Sequence, residues 1–231
     1  MDLDVCLGGG GDGTMLHANK IFQNQMPPVM GFGVGRKNAL YSMLWDEQES
    51  KQMILKFLTG KQKMSTMNRA RLQVTILNPG EEPVFATVLN EVTVLRGLCP
   101  CVAMLDMMLG KEKFYHAEGD GVIVSTSTGS SAYSLAAGGP LLSPILSCML
   151  LTPVACLSTP PVILHSESSL VITISPACRA DSLHVEMDGK SAGQLIKNGR
   201  MEVTMSRNFF PQVMDKDMNS YWVEMVESKI N

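Results

Sequence analysis

The spacing of hydrophobic positions along this chain changes near Gly60. Before that point, short apolar runs alternate with segments of helical periodicity. Residues 3–7 predict a strand and residues 15–25 a helix, separated by Gly8 to Gly11 and Asp12-Gly13-Thr14. Pro27-Pro28 punctuates, and residues 29–34 predict a second strand. Asp46 is placed to cap a helix that runs to Leu58, with Met53, Ile54, Phe57 and Leu58 on one face and Gly60 just past its end. Two strand–helix units in succession imply a piece of parallel sheet, so residues 1–62 are expected to form a partial α/β domain.

After Gly60 the pattern shortens. Residues 71–77, 84–95, 114–124, 162–164, 170–174, 183–187 and 201–205 are brief runs rich in Val, Ile, Leu, Thr and Met. Turn signals separate them, among them Asn78-Pro79-Gly80, Asp188-Gly189-Lys190 and Asn198-Gly199. This reads as an antiparallel β domain. Residues 130–137, following Gly129, predict a short helix inside it, and the segment 211–231 is expected to return to the first domain.

Composition narrows the function. The net charge is −3 and only 18% of residues are charged, so the chain lacks the basic stripe of a nucleic-acid binder. An anionic ligand has to be held by loops and a few Lys or Arg. The apolar stretch 141–157 is cut by Pro144 and Pro153 and is too short for a membrane span. The start, Met1-Asp2-Leu3-Asp4, is acidic and unlike a signal peptide. Cys99-Pro100-Cys101 has no second pair or nearby His to make a zinc set. The six cysteines therefore read as buried thiols in a reducing compartment, and a cytoplasmic protein is expected.

Three segments carry candidate chemistry. In the first, glycines let a backbone approach a ligand closely, and the amides at a helix start favour an anion. A carboxylate in that turn repels phosphate, so Asp12 reads as a base, a metal partner or a hydroxyl acceptor, or simply as the N-cap of the helix. The segment is not a P-loop, because no Gly-Lys-Ser/Thr follows. In the second, Asn90 and Glu91 sit side by side in an apolar strand, where neighbours point to opposite faces. Either the strand ends there, or the pair reads ribose hydroxyls with carboxylate and amide groups. The third runs Glu118-Gly119-Asp120-Gly121 through Val124 to Ser125-Thr126-Ser127-Thr128-Gly129-Ser130-Ser131-Ala132-Tyr133. So many hydroxyls before a helix exceed what a cap needs and suit a nucleotide pocket.

In this order, Gly10-Gly11-Asp12-Gly13-Thr14, Asn90-Glu91 and the hydroxyl-rich segment resemble the NAD kinase family, and most closely its eukaryotic cytosolic type. The similarity runs from about Val5 to Asp188-Gly189. It implies an α/β N-terminal domain over 1–62 and an all-β, NAD-binding sandwich over 63–210. It implies transfer of the ATP γ-phosphoryl group, with Mg²⁺, to the adenosine ribose 2′-hydroxyl of NAD, producing NADP, in a homodimer or homotetramer. By position, Asp12 would be the catalytic base. Gly13 would lie against the dinucleotide, and Gly10, Gly11 and Thr14 would seat phosphates. Phe32 would be an aromatic near the substrate, and Asn90 and Glu91 would hold the ribose. Thr128, Ser131, Ala132 and Tyr133 would line the adenine or nicotinamide pocket, and Asp120 would be offered across a subunit interface. No direct protein ligand to the metal is implied.

The chain departs from the family pattern at four glycines where the family has two, at the basic run Arg36-Lys37, and at Cys156 to Pro161, where the family's His is lost in a short deletion and Pro160 stands at its Arg position. An NAD(P)-binding protein without phosphoryl transfer is an alternative reading. A lipid kinase shares the glycine–Asp turn, but has no use for the hydroxyl array of 120–133.

Overall fold

A computed structural model describes residues 4–34, 40–41, 43–156 and 159–230. The readings at Leu3, at 35–39 and at 157–158 lie outside them. The elements of the first quarter are β1 (Cys6–Gly10), α1 (Asp12–Ile21), β2 (Val29–Gly33), β3 (Met43–Leu44), α2 (Glu47–Leu58) and β4 (Ser65–Arg69). Then come β5 (Leu72–Leu77), β6 (Val84–Val88), β7 (Glu91–Leu95), β8 (Ala103–Leu109), β9 (Glu112–Gly119) and β10 (Gly121–Thr126). A 3-10 turn (Gly129–Ser131) leads into α3 (Tyr133–Ala136). The chain closes with β11 (Cys148–Val154), β12 (Val162–His165), β13 (Ser169–Ile174), β14 (Ser182–Met187), β15 (Lys190–Ile196), β16 (Arg200–Met205), β17 (Phe210–Met214) and α4 (Met218–Ile230). These divide into one unit of Met1–Arg69 with Asn208–Asn231 and a second of Ala70–Arg207.

The first unit is α/β. β1 and β2 run parallel, with Gly8 opposite Gly31 and Gly10 opposite Gly33. β3 and β17 continue the parallel sheet beyond β2, and β4 closes it antiparallel to β17. A helical crossover is what a parallel pair requires, and α1 supplies it between β1 and β2. α2 begins where expected: the Asp46 carboxylate accepts hydrogen bonds from the Gln48 and Glu49 amides at 3.0 and 2.9 Å. It ends before Gly60, which adopts φ +68°. Met53, Ile54 and Phe57 pack on a cluster of Met30, Phe32, Met43 and Val213, whereas Leu58 is exposed. At the other end of the sheet Arg69 is fully buried, and its guanidinium donates to Gln212 Oε1 and to the Tyr221 hydroxyl of α4.

The second unit is a β-sandwich of two six-stranded sheets, with orders β12-β11-β10-β7-β14-β15 and β6-β5-β16-β13-β8-β9. Every pairing in it is antiparallel. Alternation sorts the side chains of β7, β10 and β11. Val92, Val94, Val122, Val124, Met149 and Leu151 enter the core between the sheets. Glu91, Thr93, Ser125, Leu150 and Thr152 take the opposite face.

Several sequence expectations shift. The first strand is Cys6–Gly10, so Gly8 to Gly10 belong to the strand and not to a loop. The helix starts at Asp12 and ends at Ile21, with Gly11 and not Asp12 at the N-cap. The runs 84–95 and 114–124 are each two strands in different sheets, broken at 89–90 and at Asp120. A polar residue at a crossover ends the ladder in both cases. The apolar stretch 141–157 holds β11, buried because both its neighbours pair with it. All six cysteines are unpaired, and only Cys148 and Cys178 are buried.

Candidate functional site

In the first unit the glycine run delivers Asp12 to the first position of α1. The two glycines beyond the family pattern extend β1 in register with β2, so the helix still begins directly after Gly11. Gly10 lies at φ +148°, and a Cβ there would meet Thr14 Oγ1 at 2.5 Å. No side chain caps Gly11. The Gly13 position is exposed and has open space where a Cβ would stand. A helix start of this kind favours an anion.

Two residues just before β3 hold this turn. The Leu40 amide donates to Asp12 Oδ1 at 2.9 Å. The Tyr41 hydroxyl donates to the Gly11 carbonyl at 3.1 Å and is hydrogen-bonded with the Thr14 side chain. Burial pushes the Tyr41 phenol up, and the nearby Asp12 charge adds to the rise while Thr14 opposes it. Gly31 makes room for Tyr41: a Cβ on it would stand 2.9 Å from the ring. Leu40 and Tyr41 carry no sequence signal for this role, because their positions follow from the tertiary path alone. Phe32 lies inside the packed side of β2. It is 2% exposed, packs in the Met30–Met43–Val213 cluster and meets Trp45 edge to face at 5.6 Å between centroids. β2 is buried along its whole length, and the ring packs within it.

In the second unit, Leu89 and Asn90 form the step from β6 to β7, which lie in different sheets. One strand ends before Asn90, and Glu91 opens the next. Thr126 at the end of β10 locks the step. Its hydroxyl donates to the Leu89 carbonyl at 2.7 Å, and its amide to the Asn90 carbonyl at 2.9 Å. Gly129 lies so close that a Cβ on it would stand 2.1 Å from the Asn90 carbonyl oxygen. From the other side, the Asp188 carboxylate accepts the Leu89 and Asn90 amides at 3.0 and 2.7 Å.

Glu91 is 7% exposed, and its carboxyl is pushed up to about 7. Burial is the main cause, Asp188 adds to it, and a hydrogen bond from the Tyr133 amide opposes it. One of its oxygens, Oε2, is buried with no protein partner, as are the hydroxyls of Thr93 and Ser125 on the same sheet face. Buried polar atoms are nearly always paired, so these three have hydrogen-bonding capacity for a water or a ligand.

The hydroxyl-rich segment divides in two. Ser127, Ser130 and Ser134 are spent internally: Ser127 donates to the Leu146 carbonyl at 2.6 Å, Ser130 accepts the Leu142 amide at 2.9 Å, and Ser134 pairs with Thr152 at 2.8 Å. They fold the segment over the sheet and are not ligand groups. Ser131 donates to the Thr128 carbonyl at 3.2 Å, and Tyr133 is 37% exposed. Thr128, Ser131, Ala132 and Tyr133 thus stand together beside Glu91, whose carboxyl the Tyr133 amide reaches. Asp120 stands elsewhere, at the junction of β9 and β10, with Arg96 Nε donating to its Oδ1 at 2.5 Å. Thr126 and Asp188 escaped the sequence reading, which saw a hydroxyl run and a turn.

A glycine-led strand–helix start in an α/β unit is joined in one chain to a β-sandwich with a polar strand break, the makeup of a two-unit α/β plus β-sandwich protein. Residues 1–62 match the ATP-NAD kinase N-terminal domain, and residues 89–214 match the ATP-NAD kinase C-terminal domain. The chain is 35% identical to the probable NAD kinase 2, chloroplastic, of Oryza sativa subsp. japonica over 96% of its own length and 23% of that protein. It is 30% identical to the NAD kinase of Desulfatibacillum aliphaticivorans, over 99% of this chain and 78% of that one. Its fold matches the crystal structure of yeast NADH kinase complexed with NADH at a TM-score of 0.87 and 28% identity, over 97% of this chain and 65% of that one. The chain belongs to the ATP-NAD kinase family. It spans about a quarter of the length of the plant relatives it matches.

Proposed function

We propose that this chain transfers the γ-phosphoryl group of ATP to the 2′-hydroxyl of the adenosine ribose of NAD, giving NADP and ADP. The observation that carries this reading is the buried Glu91 carboxyl next to Asn90, with one oxygen lacking a protein partner. A ribose offers two adjacent hydroxyls. A carboxylate accepts from both, and a neighbouring amide both donates and accepts. The likeness to a yeast NADH kinase complexed with NADH supports a dinucleotide as the acceptor.

In the first unit Asp12 is the base. Its carboxylate, oriented by the Leu40 amide, takes the hydroxyl proton as the new O–P bond forms and the bond to ADP breaks. Gly10, Gly11 and Thr14 seat phosphates at the start of α1, and Gly13 lies against the dinucleotide. In the second unit Asn90 and Glu91 hold the ribose, while Thr128, Ser131, Ala132 and Tyr133 line the base pocket. Among the described residues no group of three His, Cys, Asp or Glu is placed to hold a metal ion. Mg²⁺ carried on the ATP phosphates would offset their charge and the repulsion from Asp12. Asp120 faces a second subunit in a homodimer or homotetramer. No described helix is long and apolar enough to cross a membrane, and the unpaired thiols fit a cytoplasmic setting.

The test is NADP formation from ATP, Mg²⁺ and NAD, with Asn90→Ala alongside. NADP from the parent chain, and a KM for NAD raised about tenfold or more in the variant, is the expected result. No NADP under saturating substrates, or a variant with an unchanged KM, overturns the assignment.

A further inference from the structure

The hairpin turn between β14 and β15 is Asp188-Gly189, with both residues in the left-handed region at φ 49° and φ 70°. Asp-Gly is a favoured pair for such a two-residue turn, and Asn-Gly serves equally well. The turn therefore explains the backbone but not the carboxylate, which is engaged elsewhere. Its Oδ1 accepts the Asn90 amide at 2.7 Å and its Oδ2 the Leu89 amide at 3.0 Å, while the Asp188 amide donates to the Glu91 carbonyl at 3.0 Å. Leu89 is fully buried, and where the chain steps between sheets its amide has no ladder partner. A charged acceptor is the strong way to satisfy two such donors.

We propose that Asp188 is the positioning residue of the Asn90–Glu91 ribose pair, its carboxylate clamping two successive amides so that both side chains are presented together. This rests on the ribose reading given above. Asp188 touches no substrate in this account; it acts through the 89–91 backbone.

A second consequence separates this role from simple scaffolding. The charge of Asp188 lies near the buried Glu91 carboxyl and disfavours its ionisation. The other groups around Glu91 are the Tyr133 amide, which favours ionisation, and the neutral hydroxyls of Ser125 opposite it and Thr93 beyond it. Glu186, opposite Thr93 on β14, is occupied with His184 at 3.6 Å. NAD affinity is therefore expected to strengthen as Glu91 ionises near pH 7, and Asp188 sets part of that midpoint.

The experiment uses Asp188→Asn and Asp188→Ala in the full chain. Asparagine keeps the turn, offers one acceptor in place of two, and removes the charge. Amide hydrogen exchange on the ligand-free protein reads the clamp directly. Exchange at Leu89 and Asn90 should quicken about tenfold or more in both variants. The KM for NAD should rise about tenfold with kcat changed less than about threefold, and the pH midpoint of NAD affinity should fall in Asp188→Asn. Unchanged exchange overturns the proposal. So does a parallel loss of kcat, KM and thermal stability with the pH midpoint in place, which is the mark of a structural residue. Asn90→Ala and Glu91→Gln run in parallel. If they leave NAD affinity intact while the Asp188 variants exchange faster, the ribose reading fails and the clamp stands.

Discussion

Replacing Glu91 with Gln should stabilise the protein at high pH and change it little at low pH. The folded carboxyl is raised from 4.5 to about 7, by burial first and then by Asp188. Below the unfolded value both states carry the proton, and the charge costs nothing. Between 4.5 and about 7 the unfolded side chain ionises while the folded one stays neutral, so stability falls as the pH rises through this window. Above about 7 both are ionised and the whole cost of the buried charge is present. At about 1.4 kcal/mol per unit, the shift corresponds to an upper value of about 3 kcal/mol. Gln cannot ionise and still accepts the Tyr133 amide. Urea unfolding of the parent and Glu91→Gln chains at about pH 5 and about pH 8 measures the difference. The gain from the substitution should be about 2–3 kcal/mol larger at the higher pH. An equal effect at both would refute the claim that Glu91 is strained toward its neutral form.

Gly129→Ala should misplace Asn90. Its Cβ would stand 2.1 Å from the Asn90 carbonyl oxygen and 2.5 Å from the carbonyl carbon, and backbone atoms cannot rotate aside. Relief needs a shift of about 1 Å, enough to weaken NAD turnover up to about a hundredfold. Urea unfolding should show a loss of about 1–3 kcal/mol, and parent-like values in both measurements would contradict the packing described. Asp46→Ala removes the side-chain N-cap of α2 and should cost about 1 kcal/mol, with the KM for NAD unchanged. A wild-type unfolding midpoint would show that the cap contributes nothing.

The sequence carried the local grammar of the fold well. Asp46, the apolar face of α2 and Gly60 marked that helix from cap to stop, because each acts within a few residues. The glycine run was harder. Four glycines suggest a loop, yet pairing with Gly31 and Gly33 makes three of them a strand. Tertiary pairing overrode propensity there. β8 and β11 carry a weak strand signal, since Asp106 interrupts the first and Pro153 the second. At the site, Asn90, Glu91 and Asp12 stood out as polar residues in apolar or glycine-rich surroundings. Their supports did not. Leu40, Tyr41, Thr126 and Asp188 lie 28 to 99 residues from the groups they hold, at spacings no local pattern reveals. The hydroxyl array misled in part, because several of its members are used up inside the fold.

The central claim is that Asp12 removes the proton from the NAD hydroxyl during phosphoryl transfer. Asp12→Asn keeps the size of the side chain and an oxygen for the Leu40 amide, but cannot take a proton. The decisive measurement is kcat for NADP formation beside the Kd for NAD in this variant. The account predicts kcat reduced about a hundredfold or more with the Kd within about threefold of the parent. Parent-like turnover would contradict it.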